Sequence, residues 1–388
     1  MKKDLYIIIL SFIAIAVYAD NRQGIDFYKA GEPTIASRLF EKQLSSSPAE
    51  QAEALYYLGE IAFDENKTFE ALANYQKGWT TFPDYAYNKV GEGKVLLKTD
   101  KSTAQKAFDA AIKINKKDAS VYVAIAKAYS MNGMEAEAQA ALDNAKKYNA
   151  NDPAIYLYEG DLLISKDKPG DAAGRYEQAI HFDPACKEAY IKYANVYQGV
   201  TPTLSIEMLQ KVISNYPDYL PAYCHLGNIY SLQGNYPKAV AAYKTYMAGG
   251  LYSTDNLVHY ASALFFNKQY AESGKIISEG QAIDPDNFLL KRLAIYNDYE
   301  SKAYEKGLEE IETFFNNRDA KYIWQDYLYY GRLLNKAKQY DQAADALQKA
   351  IKESSSHTEI YKDLAEVYSN SENNAEAIKA YTQYIEAL

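Results

Sequence analysis

Small residues recur along this chain at nearly constant intervals, each inside a run whose large apolar positions are spaced by three and four. The first series is Gly59, Gly93, Ala126, Gly160, Ala194, Gly227, Ala261, Ala294, Gly331 and Ala365, with gaps of 33 or 34 residues apart from one of 37. Large side chains stand four before and three after these markers, as in Tyr122 and Tyr129, Tyr156 and Leu163, or Tyr190 and Tyr197. That spacing places them on one helical face. A second series follows 11 to 13 residues later, counting Gly24 as the opening marker: Ala36, Ala71, Ala104, Ala138, Ala172, Ser205, Ala239, Ser273, Gly307, Ala343 and Ala377. Four residues beyond these stand Phe40, Tyr75, Phe108, Leu142, Tyr176 and Tyr243. The pattern predicts two amphipathic helices per period, with small residues where the two helices approach most closely.

Turn chemistry agrees. Gly133, Gly234 and Lys168-Pro169-Gly170 fall between the two helices of a unit, and Pro48, Pro83, Pro184, Pro217 and Pro285 fall after the second, where a helix must stop. The inner turn is one residue shorter in the third and sixth units, at Lys98 to Thr103 and Gly199 to Thr203. The ninth is irregular near residues 288–321, with Asn297 where Tyr or Leu is expected and extra residues around Asn316-Asn317-Arg318-Asp319. Its register is open by one residue.

A self-similarity of about 34 residues is the mark of a helical solenoid. The unit Tyr156, Gly160, Leu163, Ala172, Tyr176, Ala179, Pro184 resembles the tetratricopeptide repeat. The resemblance covers residues 20–388 as about eleven units. It implies an all-α fold, a right-handed superhelical solenoid of antiparallel helix pairs, and a concave surface lined by the first helix of each unit. Groove positions in that family lie three before, one after and four after the marker. Carried onto this chain they include Tyr56, Glu60, Phe63, Lys94, Lys127, Asp161, Asn195, Gln198, Asn228, Ser262, Phe265, Arg332, Asn335 and Lys362. The ninth unit would add Lys291, Ile295 and Asp298, or their neighbours if the register shifts. Asn195 and Asn228 resemble the paired amides of family members that clamp a partner's C-terminal carboxylate. Ile191, Asp255 and His259 stand where the clamp needs basic residues, so a chaperone-tail receptor is not expected.

Residues 1–19 read differently. Lys2 and Lys3 precede an apolar run over residues 5–17, and Val17-Tyr18-Ala19 ends in a small residue; this is the layout of a cleaved secretory signal. The run is shorter than the ~20 residues a membrane span wants. Export to the periplasm or cell envelope of a Gram-negative bacterium, or secretion, is the expectation. Cleavage would leave Asp20-Asn21-Arg22-Gln23 to open the first helix as a capping box.

Without Lys2, Lys3 and Asp4 the chain carries 40 basic against 50 acidic side chains, a net charge of about −10. A nucleic-acid or polybasic membrane footprint needs the opposite balance. Cys186 and Cys224, the only thiols, are placed too far apart in the repeat to bridge. The 39 tyrosines mostly hold packing positions, where a ring is buried and its hydroxyl kept near the edge.

Chemistry is thin. His225 and His259 share a repeat position with Cys224 beside the first, but a metal site wants a third well-placed ligand. No phosphate loop of the Gly-x-x-x-x-Gly-Lys-Ser/Thr kind and no Gly-x-Ser-x-Gly elbow occurs. The expectation is a non-enzymatic scaffold without cofactor, binding a protein segment or partner subunit. The alternative is a glycan or peptidoglycan module using exposed tyrosines. Leu364, Tyr368, Tyr381 and Tyr384 would leave apolar surface on the last unit, which suggests self-association or a partner there.

Overall fold

The computed structural model describes residues 21–317 and 321–388. The expected leader, Asp20 of the expected capping box, and Arg318 and Asp319 of the irregular unit lie outside the described residues. Every regular element among the described residues is a helix. The described residues divide into two compact units, with the boundary between Pro221 and Ala222.

Six helix pairs make the first unit: α1 (Asn21–Lys29) with α2 (Pro33–Gln43), α3 (Pro48–Asp64) with α4 (Thr68–Thr81), α5 (Tyr87–Leu96) with α6 (Lys101–Ile114), α7 (Ala119–Met131) with α8 (Glu135–Tyr148), α9 (Pro153–Ser165) with α10 (Pro169–Phe182), and α11 (Lys187–Tyr197) with α12 (Pro202–Asn215). Five pairs follow: α13 (Leu220–Leu232) with α14 (Tyr236–Met247), α15 (Thr254–Phe266) with α16 (Tyr270–Ile283), α17 (Phe288–Glu300) with α18 (Tyr304–Phe314), α19 (Trp324–Lys336) with α20 (Tyr340–Glu353), and α21 (Glu359–Asn370) with α22 (Asn374–Glu386). The eleven expected units are these eleven pairs.

The reason for the small markers is more specific than helix approach. A Cβ on Gly59 would stand 2.4 Å from Tyr75 Cε1, one on Gly160 2.4 Å from Tyr176, one on Gly93 2.4 Å from Phe108, and one on Gly227 2.7 Å from Tyr243. An aromatic ring from the second helix lies flat across the marker, and only glycine leaves room for it. Where the second helix supplies the aliphatic Leu142, Leu209 or Ile277 instead, the marker is Ala126, Ala194 or Ala261, all buried. Gly331, facing Leu347, and Ala365, whose second helix supplies Tyr381, break the rule. Serine replaces alanine in the second series at Ser205 and Ser273, whose hydroxyls donate to the marker carbonyls of Ala194 and Ala261 at 2.6 and 2.9 Å.

The inner turn settles the ninth register. Seven residues after the marker the backbone turns left-handed, at Gly31, Asn66, Gly133, Asp167, Gly234, Lys268, Lys338 and Glu372. The next amide then donates to the carbonyl three after the marker, as Lys67 does to Ala62 and Gln339 to Leu334, which is the Schellman closure. In the third and sixth pairs this left-handed residue is the one missing. In the ninth it is Lys302, with Ala303 donating to Asp298, so the marker is Ile295 and not Ala294. Counted from Ile295, Gly307 falls 12 residues on, like most of its counterparts. The groove positions of this unit are therefore Arg292, Tyr296 and Tyr299 in place of Lys291, Ile295 and Asp298.

Two further expectations change. Leu364 is buried in the core of the last pairs, because it faces inward from α21. The apolar surface of α22 consists instead of Ile378, Tyr381 and Ile385, followed by Leu388 just beyond the helix. Phe265 is buried too, packed among Tyr270 and Tyr296.

Candidate functional site

Most polar residues at the expected groove positions already have partners within the chain. In the first unit Tyr75 donates its hydroxyl to Glu60 Oε1 at 2.6 Å, and Lys94 Nζ donates to the same oxygen at 2.8 Å. Lys94 is buried and its ammonium stands 4.2 Å from the centre of the Phe63 ring, a cation held over a π face. Tyr176 repeats the motif on Asp161 at 2.9 Å, joined by Lys192 at 2.8 Å. In the second unit Tyr243 donates to Asn228 Oδ1 at 2.6 Å. A tyrosine across the marker thus pairs with an acceptor one residue after it. Burial, then the neighbouring carboxylate, pushes the Tyr75 and Tyr176 phenols up.

A second rule links neighbouring repeats. Glu60 pairs with Lys94, Asp161 with Lys192, Arg292 with Asp326 and Arg332 with Asp363, each partner lying roughly one period away. Arg332 Nε reaches Asp363 Oδ2 at 2.6 Å while its guanidinium lies over Tyr329 and Tyr299. Asn335 accepts from Asn370 at 3.0 Å. Opposite charges one period apart on the first helices carried this signal in the sequence.

Concave space in the first unit is walled. Helix α1 packs against α11, with Asp26 ion-paired to Lys187 and Lys29 to Glu188 at 3.6 Å. Burial raises the Asp26 carboxyl from its ordinary value despite Lys187. Tyr28 donates to Asp64 at 3.1 Å, and Tyr56, Tyr57, Tyr85 and Tyr87 form one cluster with ring centroids 5.1 to 6.0 Å apart. A cavity of about 620 Å³ remains, lined by Tyr28, Asp64, Lys127, Asp161, Glu188 and Lys192 among others. Outside it Asn195 is exposed and Gln198 half-buried.

The second unit offers a smaller cleft between α13 and α15. It holds about 290 Å³ and is lined by Asn228, Ser231, Leu232, Tyr236, Tyr243, His259, Ser262, Ala263 and Phe266. Leu232 is 72% and Phe266 56% exposed, and Phe266 stacks on Tyr236 with centroids 5.0 Å apart. Exposed apolar side chains thus flank amide and hydroxyl groups. Lys362 is exposed on α21. Cys224 is buried and accepts a 3.6 Å contact from the Asn256 amide. Cys186 and Cys224 are free thiols, and no group of three metal ligands stands together among the described residues.

Stacked antiparallel helix pairs with a ring laid against most glycine markers and a Schellman turn between the helices of most pairs define an all-α repeat solenoid. Tetratricopeptide repeat profiles match residues 21–85, 208–241 and 334–387, and the chain is a tetratricopeptide repeat protein. Among solved structures it is similar to a tetratricopeptide repeat protein from Parabacteroides merdae, 15% identical, covering 64% of this chain and 98% of that one, with TM-score 0.43. PilW, a type IV pilus biogenesis factor, is 17% identical over 53% of this chain and 96% of its own, with TM-score 0.42. A chain of the APC/C hetero-tetramer Cut9-Hcn1 is 12% identical over 94% of this chain and 92% of its own, with TM-score 0.43. At these identities the likeness concerns the fold alone. No curated protein matches the chain. Proteins of this repeat class are generally non-catalytic scaffolds for protein partners.

Proposed function

We propose that this protein is an exported scaffold that binds an extended segment of a protein partner, with the α13–α15 cleft as its principal contact. The cleft carries the reading. Leu232 and Phe266 lie open to solvent beside Asn228, His259 and Ser262, so a partner's apolar side chain can be anchored while its backbone finds hydrogen-bonding groups. Asn228 Oδ1 already accepts from Tyr243, which fixes the amide and leaves its NH₂ as the donor. Lys127, Asn195 and Gln198 in the first unit and Lys362 in the second are secondary contacts in this reading. A glycan module would present tyrosines, and among the described residues Tyr381 alone is exposed. Export rests on the charged and apolar run of residues 1–19; among the described residues no helix is long and apolar enough to cross a membrane.

A photo-reactive phenylalanine placed at Leu232 or Ser262 and activated in cells tests the contact. The same partner should be captured at both positions, not at the exposed Lys244 of α14, and Leu232→Asp should reduce capture at Ser262 by about tenfold or more. Equal capture at Lys244, or capture indifferent to Leu232→Asp, would overturn the reading.

A further inference from the structure

Repeat nine lacks a part that repeats four and five carry. In repeats four and five the large residue four before the marker stacks on a ring at the end of the second helix: Tyr122 on Tyr148, with centroids 5.2 Å apart, and Tyr156 on Phe182, 5.0 Å apart. These pairs fill the space between the open ends of the two helices. Counted from Ile295, the same two positions in repeat nine are Lys291 and Asn317. Neither is a ring, and Lys291 turns outward to Asp286 at 2.9 Å. At the position where repeats four, five and ten hold Ala145, Ala179 and Ala350, repeat nine holds Phe314, stacked on Phe288 with centroids 4.6 Å apart. A ring in an alanine's place keeps the helix ends apart. Helix α18 is also shorter, 11 residues against 14 in α16 and α20.

The result is a cavity of about 540 Å³ with Phe288, Ile295 and Phe314 in its wall, within the range of small-ligand sites. Its rim is charged but mostly self-neutralised. Lys291 pairs with Asp286, and Lys306 with Asp298 at 2.9 Å and Glu310 at 3.3 Å. Among the described residues Glu309, exposed on the same rim, is in no ion pair, and Lys306 is shared by two carboxylates, so the two cations face four carboxylates and the mouth is net negative, with Glu309 its unpaired carboxylate.

We propose that this cavity binds an aromatic ring bearing a positive charge, an aromatic amine. The ring takes the place that Tyr156 and Phe182 fill in repeat five, and the ammonium meets Glu309. Apolar cavities accept ring-sized guests because their walls gain the contacts they otherwise lack.

Saturation-transfer NMR on the full chain with 2-phenylethylamine is the direct test, with 3-phenylpropionate and butylamine as comparisons. Saturation should reach the phenylethylamine ring, the propionate should bind several-fold more weakly, and butylamine should show no transfer. Glu309→Gln should reduce the preference for the amine several-fold while leaving ring binding. The double variant Lys291→Tyr with Asn317→Phe, which restores the stacked pair, should abolish transfer and raise the melting temperature. Thr313→Trp, at an exposed rim position, blocks the mouth without altering the core and should abolish transfer too. No transfer to either ring probe in the unaltered protein, or transfer that survives both blocking variants, would overturn the site. Propionate binding as tight as the amine would overturn the charge assignment.

Discussion

The ring of Tyr75 is clamped between Gly59 and Gly91: a Cβ on either glycine would stand 2.4 Å from Tyr75 Cε1. The ring therefore cannot retreat from one side toward the other. Gly59→Ala is expected to cost about 1–3 kcal/mol through overpacking, read as a lower urea midpoint. Gly174→Ala is the control, since that glycine sits exposed inside α10 with nothing near its missing Cβ. It should stabilise by about 0.5–1 kcal/mol. Equal effects of the two substitutions would remove the packing explanation.

Tyr75 also ties the marker to the groove through its 2.6 Å bond to Glu60. Tyr75→Phe keeps the ring and leaves Glu60 paired with Lys94, so the expected loss is about 1–2 kcal/mol. Glu60→Gln removes the charge beneath a buried Lys94 and should cost more, about 3 kcal/mol. Chemical denaturation of both variants gives the order, and the reverse order would mean that the ammonium is not held by Glu60.

Repeat periodicity made the helix pairs and the inner turns legible, because the same ring-on-glycine contact is rebuilt in pair after pair. The ninth register was not legible, since Ala294 imitates a marker while the true one, Ile295, is matched with the aliphatic Ile311 in one buried cluster. The pairing of groove residues such as Lys94 and Arg332 lay in opposite charges one period apart, a signal that a reading unit by unit passes over. The contact of Asp26 with Lys187 joins residues 161 apart and leaves no local pattern. Leu232 and Phe266 escaped notice because they lie one residue beyond the positions the family uses.

Asp326 is fully buried and accepts Arg292 Nε and Nη2 at 2.9 and 3.0 Å, the Tyr296 hydroxyl at 2.6 Å and the Ile323 amide at 2.8 Å. Arg292 Nη2 also donates to the Lys321 carbonyl, so this one carboxylate fastens the residues from Lys321 to the start of α19 onto α17. Asp326→Ala should cost about 3–5 kcal/mol, the cost of stranding a buried charge. Hydrogen exchange should show the loss first at residues 321–330. Unchanged protection there would mean that the turn is held by the Phe315 and Tyr322 rings instead.

The closure of α1 on α11 rests on two crossed ion pairs, Asp26 with Lys187 and Lys29 with Glu188. Partly exposed pairs contribute only about 0–1 kcal/mol each and weaken with salt, so the closure is easily reversed by like charge. Lys187→Asp should open it, and Asp26→Lys in the same chain should close it again. Spin labels on α1 and α11 report this as a longer distance in the single variant and a restored one in the double. A distance unmoved by Lys187→Asp would show that Tyr28 and its neighbours hold α1 without the charges.

Alkaline pH should unfold the protein steeply. Burial first, then nearby carboxylates and rings, pushes Tyr28, Tyr56, Tyr57, Tyr75, Tyr176 and Tyr329 above the ordinary phenol value of 10.0. These acids keep their protons when folded and lose them near pH ~10 when unfolded. The folded state then binds more protons, so stability present below pH ~10 falls as pH rises beyond it, by about 1.4 kcal/mol per pH unit for each such phenol. Several phenols acting together make the fall cooperative. Tyrosinate absorbance and helical circular dichroism should therefore change in one transition above pH ~10. Most of the phenols ionising there while the helices remain intact would show that the rings are open to solvent and that the packing derived from the glycine markers is wrong.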